Sequence, residues 1–192
     1  MTTLVPIHTL KLTVEQFFQL GEDPPGTRLE LIDGEIIVRP SPSRSHADIV
    51  FALAYLIETH LRTNRLGKLY LDADVVFTPT LARRPDIAYF SRAKAKRMSG
   101  DRLDEIPDLC IEVLSPSNEN DDRVNKFELS QTHGVSHYWI IDPQSRAAEC
   151  WALRDGKFQK VASGGAGEKV SFPPFPDLLI SLGGIWMADL PD

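Results

Sequence analysis

The chain has 192 residues, of which 42% are hydrophobic and 25% charged, and its formal net charge is −6. That length suits one domain over 1–192 with a sizeable core, and no run of about 18 apolar residues offers a helical membrane span. The acidic balance argues against a protein that coats nucleic acid through a broad basic surface, though not against a local basic strip.

At the start of the chain, "MTTLVPIHTLKLTVEQ" lacks the basic-then-apolar pattern of a secretory leader, so a cytoplasmic setting is expected. "TVEQFFQL" reads as a short helix capped by Thr13, with Glu15 and Gln16 in its first turn. "RLELIDGEIIVRP" reads as two strands around an Asp33-Gly34 turn. Residues 43–64 make the longest helix, with Ile49, Leu53, Leu56 and Ile57 at helical spacing. "GKLYLDADVVFTP" is expected to be one strand, "RPDIAYF" a second and "PDLCIEVLS" a third. "NENDDRVNKFELSQTHG" is a helix whose acidic start suits the helix dipole, with Gly134 past its end. "SHYWIID" is a strand, "AAECWALRDGKFQKVA" a hairpin around Asp155-Gly156, and "KVSFP" a short final strand. Short strands with intervening helices predict an α/β layer on a mixed sheet. Hairpins at both ends should extend that sheet.

Cys110 and Cys150 lie in apolar strand-like runs, and free buried thiols are expected, although count alone permits a disulfide. The basic strip "SRAKAKRMSGDR" gathers Arg92, Lys94, Lys96, Arg97 and Arg102 and reads as a solvated loop or short helix. Trp139 and Trp151 read as packing residues.

The run "PDLCIEVLSPS" poses a chemical problem. Alternation puts Leu109, Ile111 and Val113 on one face and Cys110, Glu112 and Leu114 on the other. An ionised carboxylate in such a strand needs an ion partner or a metal. The neighbouring "RPDIAYF" repeats the arrangement, with Asp86 beside Ala88. Each acid alone is explained by an arginine partner or an exposed strand end. Two acids beside small side chains on consecutive strands instead leave room for a hard cation such as Mg²⁺, which takes oxygen ligands and keeps several waters.

These residues resemble a known group. "PD" followed by an acid in the next strand is the layout of the PD-(D/E)xK nuclease superfamily. "RLELIDGEIIV", His46 in the long helix, "RPDIAYF" and "PDLCIEVLSPSNENDDRVNKFELSQTHGVSHYWIIDP" together look like the Uma-two family of restriction-endonuclease-like proteins, over about residues 10–185. The resemblance implies a restriction-endonuclease-like core in the order helix, strand, strand, strand, helix, strand. It also implies phosphodiester cleavage of DNA with Mg²⁺ or Mn²⁺. Asp86 and Glu112 would ligate the metal, Glu30 would be a third acid, and His46 a general base or phosphate contact. The chain departs from the signature in two places. Leu114 stands where the pattern D/E-x-K has lysine, and the resemblance implies that Lys126, from the following helix, takes that role. Ser130 stands where relatives commonly carry tyrosine. Two other readings stand beside the nuclease: a catalytically silent nucleic-acid-binding or scaffolding protein on the same fold, and a metal-dependent hydrolase of another substrate. A homodimer is expected, because the apolar C-terminal hairpin would leave a sheet edge needing cover.

Overall fold

The computed structural model describes residues 11–98, 100, 102–116 and 118–186. The opening ten residues, with most of the stretch read for a leader, lie outside them, as do Ser99 and Asp101 of the basic strip and Ser117.

Helix α1 (Val14–Phe18) starts at a reciprocal cap: the Gln16 N–H donates to Thr13 Oγ1 at 3.3 Å and the Thr13 N–H to Gln16 Oε1 at 2.9 Å. Strands β1 (Thr27–Ile32) and β2 (Glu35–Pro40) form the expected hairpin, whose turn residues Asp33 and Gly34 both have positive φ, at 51° and 79°. Helix α2 (Arg44–Asn64) is the predicted long helix, capped by Ser43. Strand β3 (Gly67–Leu71) pairs with β6 (Ile87–Ser91), whereas β4 (Val75–Thr78) pairs with β5 (Leu81–Arg83). After the short helix α3 (Arg92–Ala95) come β7 (Leu109–Val113), a π-helical turn (Asp121–Asn125) and helix α4 (Lys126–Thr132). Strand β8 (His137–Asp142) precedes the hairpin of β9 (Ala147–Arg154) and β10 (Lys157–Gly164). A two-residue pair, β11 (Lys169–Val170) with β12 (Ile180–Ser181), and helix α5 (Leu182–Ile185) complete the described chain.

The main sheet has the order β10-β9-β8-β7-β6-β3 and is mixed, because β7 and β8 run parallel while the other neighbours are antiparallel. The crossover joining β7 to β8 carries the π turn and α4. One face of the sheet packs on α2 through Ile49, Leu53, Ile57, Ile111, Val113 and Trp139. The other holds Cys110, Leu114, Tyr138, Ile140 and Phe158, with Phe127 of α4 packed against them. The alternation read along β7 is therefore the alternation of two cores. Cys110 and Cys150 are both buried and free, and Trp139 is fully buried. No helix of the described residues is long and apolar enough to cross a membrane.

Three expectations are corrected. "GKLYLDADVVFTP" is not one strand. It bends at Asp72, where φ is 48°, and passes from the main sheet into a second, four-stranded one. Ion pairs of Asp72 with Arg28 (2.8 Å) and Asp74 with Arg84 (2.9 Å) hold the bend, a tertiary cause that local alternation does not display. The N-terminal hairpin does not join the main sheet. It builds the second sheet, order β2-β1-β5-β4, with α1 covering Leu31 and Ala82. Only the C-terminal hairpin extends the main sheet directly. Its outer strand, moreover, exposes Lys157, Gln159 and Lys160 rather than an apolar edge. Exposed apolar residues gather at the opposite edge instead: Phe51 and Tyr55 of α2 and Leu71 of β3.

Candidate active site

The passage from β5 to β6 crosses from one sheet to the other within Arg83-Arg84-Pro85-Asp86. Asp86 thus precedes β6 and is not one of its paired residues. Ile87 pairs with Ile111, so one further step along the ladder sets Asp86 against Glu112. Asp86 Oδ2 accepts the Val113 N–H at 2.8 Å and lies 2.9 Å from His46 Nε2. Arg28 Nη1 stands 3.6 Å from Asp86 Oδ1. Burial pushes the Asp86 carboxyl up, but the His46 contact, the Lys126 charge and the Val113 N–H outweigh it, and its pKa falls below the ordinary value.

Glu112 is 1% exposed. Its Oε2 lies 2.8 Å from the ammonium of Lys126, which also meets Asp122 Oδ1 at 3.2 Å and donates to the Arg84 carbonyl at 3.3 Å. Burial drives the Glu112 pKa well up, Lys126 draws it back, and Asp122 and Asp86 add to the rise. Asp122 is pushed up to about 6, first by burial, against the pull of Lys126. Lys126 itself moves upward: its burial is outweighed by Glu112, Asp122, Glu30 and Asp86. The lysine therefore stays charged, and Glu112 and Asp122 hold their protons more tightly than ordinary carboxyls do.

The π turn explains how Lys126 reaches this position. A π turn inserts one residue into the helical repeat and rotates the residues downstream of it. Asp121 and Asp122 are buried by it, while Val124 is turned out to 41% exposure. Tyr138 clamps the turn by donating its hydroxyl to the Asp122 carbonyl at 2.9 Å. Leu114, at the position where the superfamily has lysine, is buried in the apolar cluster under α4. A strand lysine there would meet hydrocarbon, and the helix supplies the cation instead. Ser130 is buried.

Glu30 is not an exposed hairpin residue. It is 3% exposed, and its Oε1 accepts Arg83 Nε at 3.1 Å and the Arg84 N–H at 2.9 Å. Arg83 also binds Asp121, and Arg39 bridges the two acids, with Nη2 at 3.0 Å from Asp121 Oδ1 and Nε at 3.5 Å from Glu30 Oε2. Burial raises the Glu30 and Asp121 carboxyls, but the surrounding arginines and Lys126 bring both below their ordinary values. The structure thus brings Asp86, Glu112, Lys126 and Glu30 to one cleft, together with Arg28, Arg39, Arg84, Asp121 and Asp122. His46 approaches that cleft through Asp86 and itself lines an adjoining groove with Ser43, Ser115 and Pro116. The free space in the cleft is about 20 Å³, room for a water or a partly dehydrated cation. It opens past Arg28 and Asn118 into the groove, whose free space is about 330 Å³.

Sequence reading missed Asp121, Asp122, Arg83, Arg28 and Arg39. The Asp122–Lys126 spacing of four residues was a usable signal, because such pairs meet on a helix. The arginines gave none, since their partners are distant in sequence. Part of the basic strip is tied down by acids, Lys94 by Asp108 at 2.9 Å and Arg97 by Glu105 at 2.7 Å, while Arg92, Lys96 and Arg102 are exposed.

Among the described residues, no three His, Cys, Asp or Glu side chains converge as a ready metal cluster. The donor set nevertheless suits a hard cation. Two carboxylates and a carbonyl already surround an ammonium, a positive group standing among oxygen ligands.

Comparison with known proteins bears on the family and the fold. The sequence model of a family, Uma2, described as "Putative restriction endonuclease", matches residues 14–183. A solved structure from Anabaena variabilis, a "putative nuclease belonging to DUF820", superposes with a TM-score of 0.76 at 23% identity, over 91% of this chain and 97% of that one. The fold is therefore restriction-endonuclease-like. No curated protein matches.

Proposed function

The chain belongs to the Uma2 family, and from that premise we propose that it is a Mg²⁺- or Mn²⁺-dependent endonuclease that hydrolyses phosphodiester bonds of DNA. The observation that carries the reading is the contact of Lys126 with Glu112 at 2.8 Å, beside Asp86. It supplies from a helix the cation that Leu114 cannot supply from the strand, and so weighs against a catalytically silent scaffold.

In this reading Asp86 and Glu112 hold the divalent ion, and Glu30 lines the wall beyond them. The ion, when bound, polarises the scissile phosphate and acidifies a water. His46 keeps Asp86 Oδ2 occupied together with the Val113 N–H, which leaves Oδ1, 3.6 Å from Arg28 Nη1, as the oxygen for a ligand. Its part is thereby one of orienting Asp86 more than of taking a proton from water. Lys126 offsets charge that develops on the phosphate oxygens, a contribution that grows in a water-poor cleft. Arg28, Arg39 and Arg84 line the cleft mouth, each held in place by an acid (Asp72, Asp121 and Asp74), and put guanidinium donors where a phosphate would enter from the adjoining groove of about 330 Å³. Arg–phosphate pairing suits that task.

A second copy of the chain is part of the proposal, as two sites are needed to address both strands of a duplex, in a cytoplasmic setting. The edge strand β3, with Phe51, Tyr55 and Leu71 beside it, is the surface such a copy would cover. Monomeric mass by light scattering at micromolar concentration would rule the dimer out.

The deciding experiment is plasmid nicking in Mn²⁺, wild type beside Glu112→Ala. Nicking by wild type that the variant lacks supports the proposal; equal nicking by both, or none by either, defeats it.

A further inference from the structure

Lys126 does more than touch Glu112. Its ammonium sits among three oxygens, Glu112 Oε2 at 2.8 Å, Asp122 Oδ1 at 3.2 Å and the Arg84 carbonyl at 3.3 Å. A resident cation and an incoming cation want the same Glu112 oxygen. If Glu112 were the only acid near the lysine, a metal ion could take that oxygen only by leaving a buried ammonium without a carboxylate, which is costly. Asp122 removes that difficulty. It is 2% exposed, lies one helical turn before Lys126 and is fixed at its backbone by Tyr138. Its neighbour Asp121 faces away into the arginine pair of Arg83 and Arg39, so Asp122 remains the acid assigned to the lysine.

We propose that Asp122 is a positioning residue that acts through Lys126: it is the seat that retains the ammonium when Glu112 turns its oxygen to a divalent ion. The inference rests on the metal-dependent reading of the site and adds to it a fourth acid with a role of its own. Three effects on Mn²⁺ binding are expected, measured by calorimetry or by the electron paramagnetic resonance of free Mn²⁺. Lys126→Met removes the competitor and tightens binding about tenfold. Asp122→Asn ties the lysine to Glu112 and weakens binding about tenfold. In the Lys126→Met background the same Asp122→Asn change alters binding by less than about twofold, because the residue it serves is gone.

The double-mutant cycle separates this role from the others open to an acid in a cleft. An Asp122→Asn loss of equal size in both backgrounds means that Asp122 acts on the metal directly, and overturns the proposal. So does an Asp122→Asn variant that binds as wild type does. A wild-type chain that binds no Mn²⁺ at millimolar concentration defeats the metal reading itself, an outcome distinct from either. Should Asp122→Asn fail to fold, the wild-type chain still decides. The Lys126 ammonium resonance, assigned by its loss in Lys126→Met, is expected to shift as Mg²⁺ is added. A resonance that stays in place when Mg²⁺ has bound overturns the seat.

Discussion

Asp121 and Asp122 are consecutive residues of one π turn, yet they belong to two buried charge clusters of opposite character. Asp121 joins Glu30, Arg83 and Arg39, where two acids meet two guanidiniums. Asp122 joins Glu112 and Lys126, with Asp86 near by, where the acids outnumber the cation. In the first cluster the carboxyl pKa values lie below their ordinary range, and in the second Glu112 and Asp122 lie above it. Balanced charge ties the second sheet to the crossover helix. Unbalanced charge leaves a place that gains by taking up another cation. On the proposed function, the contrast separates residues that build the cleft from residues that use it.

The sharpest way to break the contrast is to remove the one cation of the unbalanced cluster. Lys126→Met is expected to lower cleavage by about 10³-fold, the scale of losing an electrostatic donor at a developing charge, while circular dichroism keeps the wild-type fold and the melting temperature falls, because Glu112 and Asp122 lose their buried partner. Retention of wild-type cleavage would remove the lysine from the chemistry.

Truncation in the balanced cluster should do the reverse. Arg83→Ala leaves Glu30 and Asp121 buried with a single shared guanidinium, and is expected to cost about 3–5 kcal/mol of stability, measured by urea unfolding. A variant that unfolds at the wild-type midpoint would show that water replaces the guanidinium at no cost.

pH distinguishes the clusters by sign. Glu30 and Asp121 have folded pKa values below their unfolded ones. Their stabilisation is full above the unfolded values, 4.5 and 3.8, and is lost as pH falls through the lower folded ones. Asp122 runs the other way. Its stabilisation is present below 3.8 and is lost as pH rises toward about 6. Asp122→Asn should therefore gain about 1 kcal/mol over wild type at pH 7, a modest figure because Lys126 loses a partner, and no advantage below about pH 4. Thermal melts at the two pH values test this, and a gain independent of pH would contradict it.

The smallest effect is expected of a conservative change at His46. His46→Gln keeps a donor toward Asp86 and should weaken Mn²⁺ binding only a few-fold, whereas His46→Ala should weaken it about tenfold. Equal effects of the two would mean that His46 serves as more than a donor to Asp86.

Much of this was legible in the sequence. The two faces of β7, the Asp33-Gly34 and Asp155-Gly156 hairpins, the Thr13 cap and the long helix all follow from side-chain alternation, turn chemistry and apolar spacing, which act over a few residues. So does the need of Glu112, isolated in an apolar strand, for a partner; that Lys126 takes the place Leu114 leaves empty came from the family resemblance and not from local pattern. Only the tertiary structure decided which acids share a cation. Glu30 meets Arg83, and Asp86 meets His46, across separations of 53 and 40 residues that no local pattern encodes. The same holds for the bend at Asp72, which distant arginines stabilise, and for the π turn that sends Asp121 and Asp122 to different clusters and Val124 to solvent. Local sequence sets which groups can be buried, because burial follows periodicity. It cannot set how buried charges are balanced, because that balance is struck among side chains brought together by the fold.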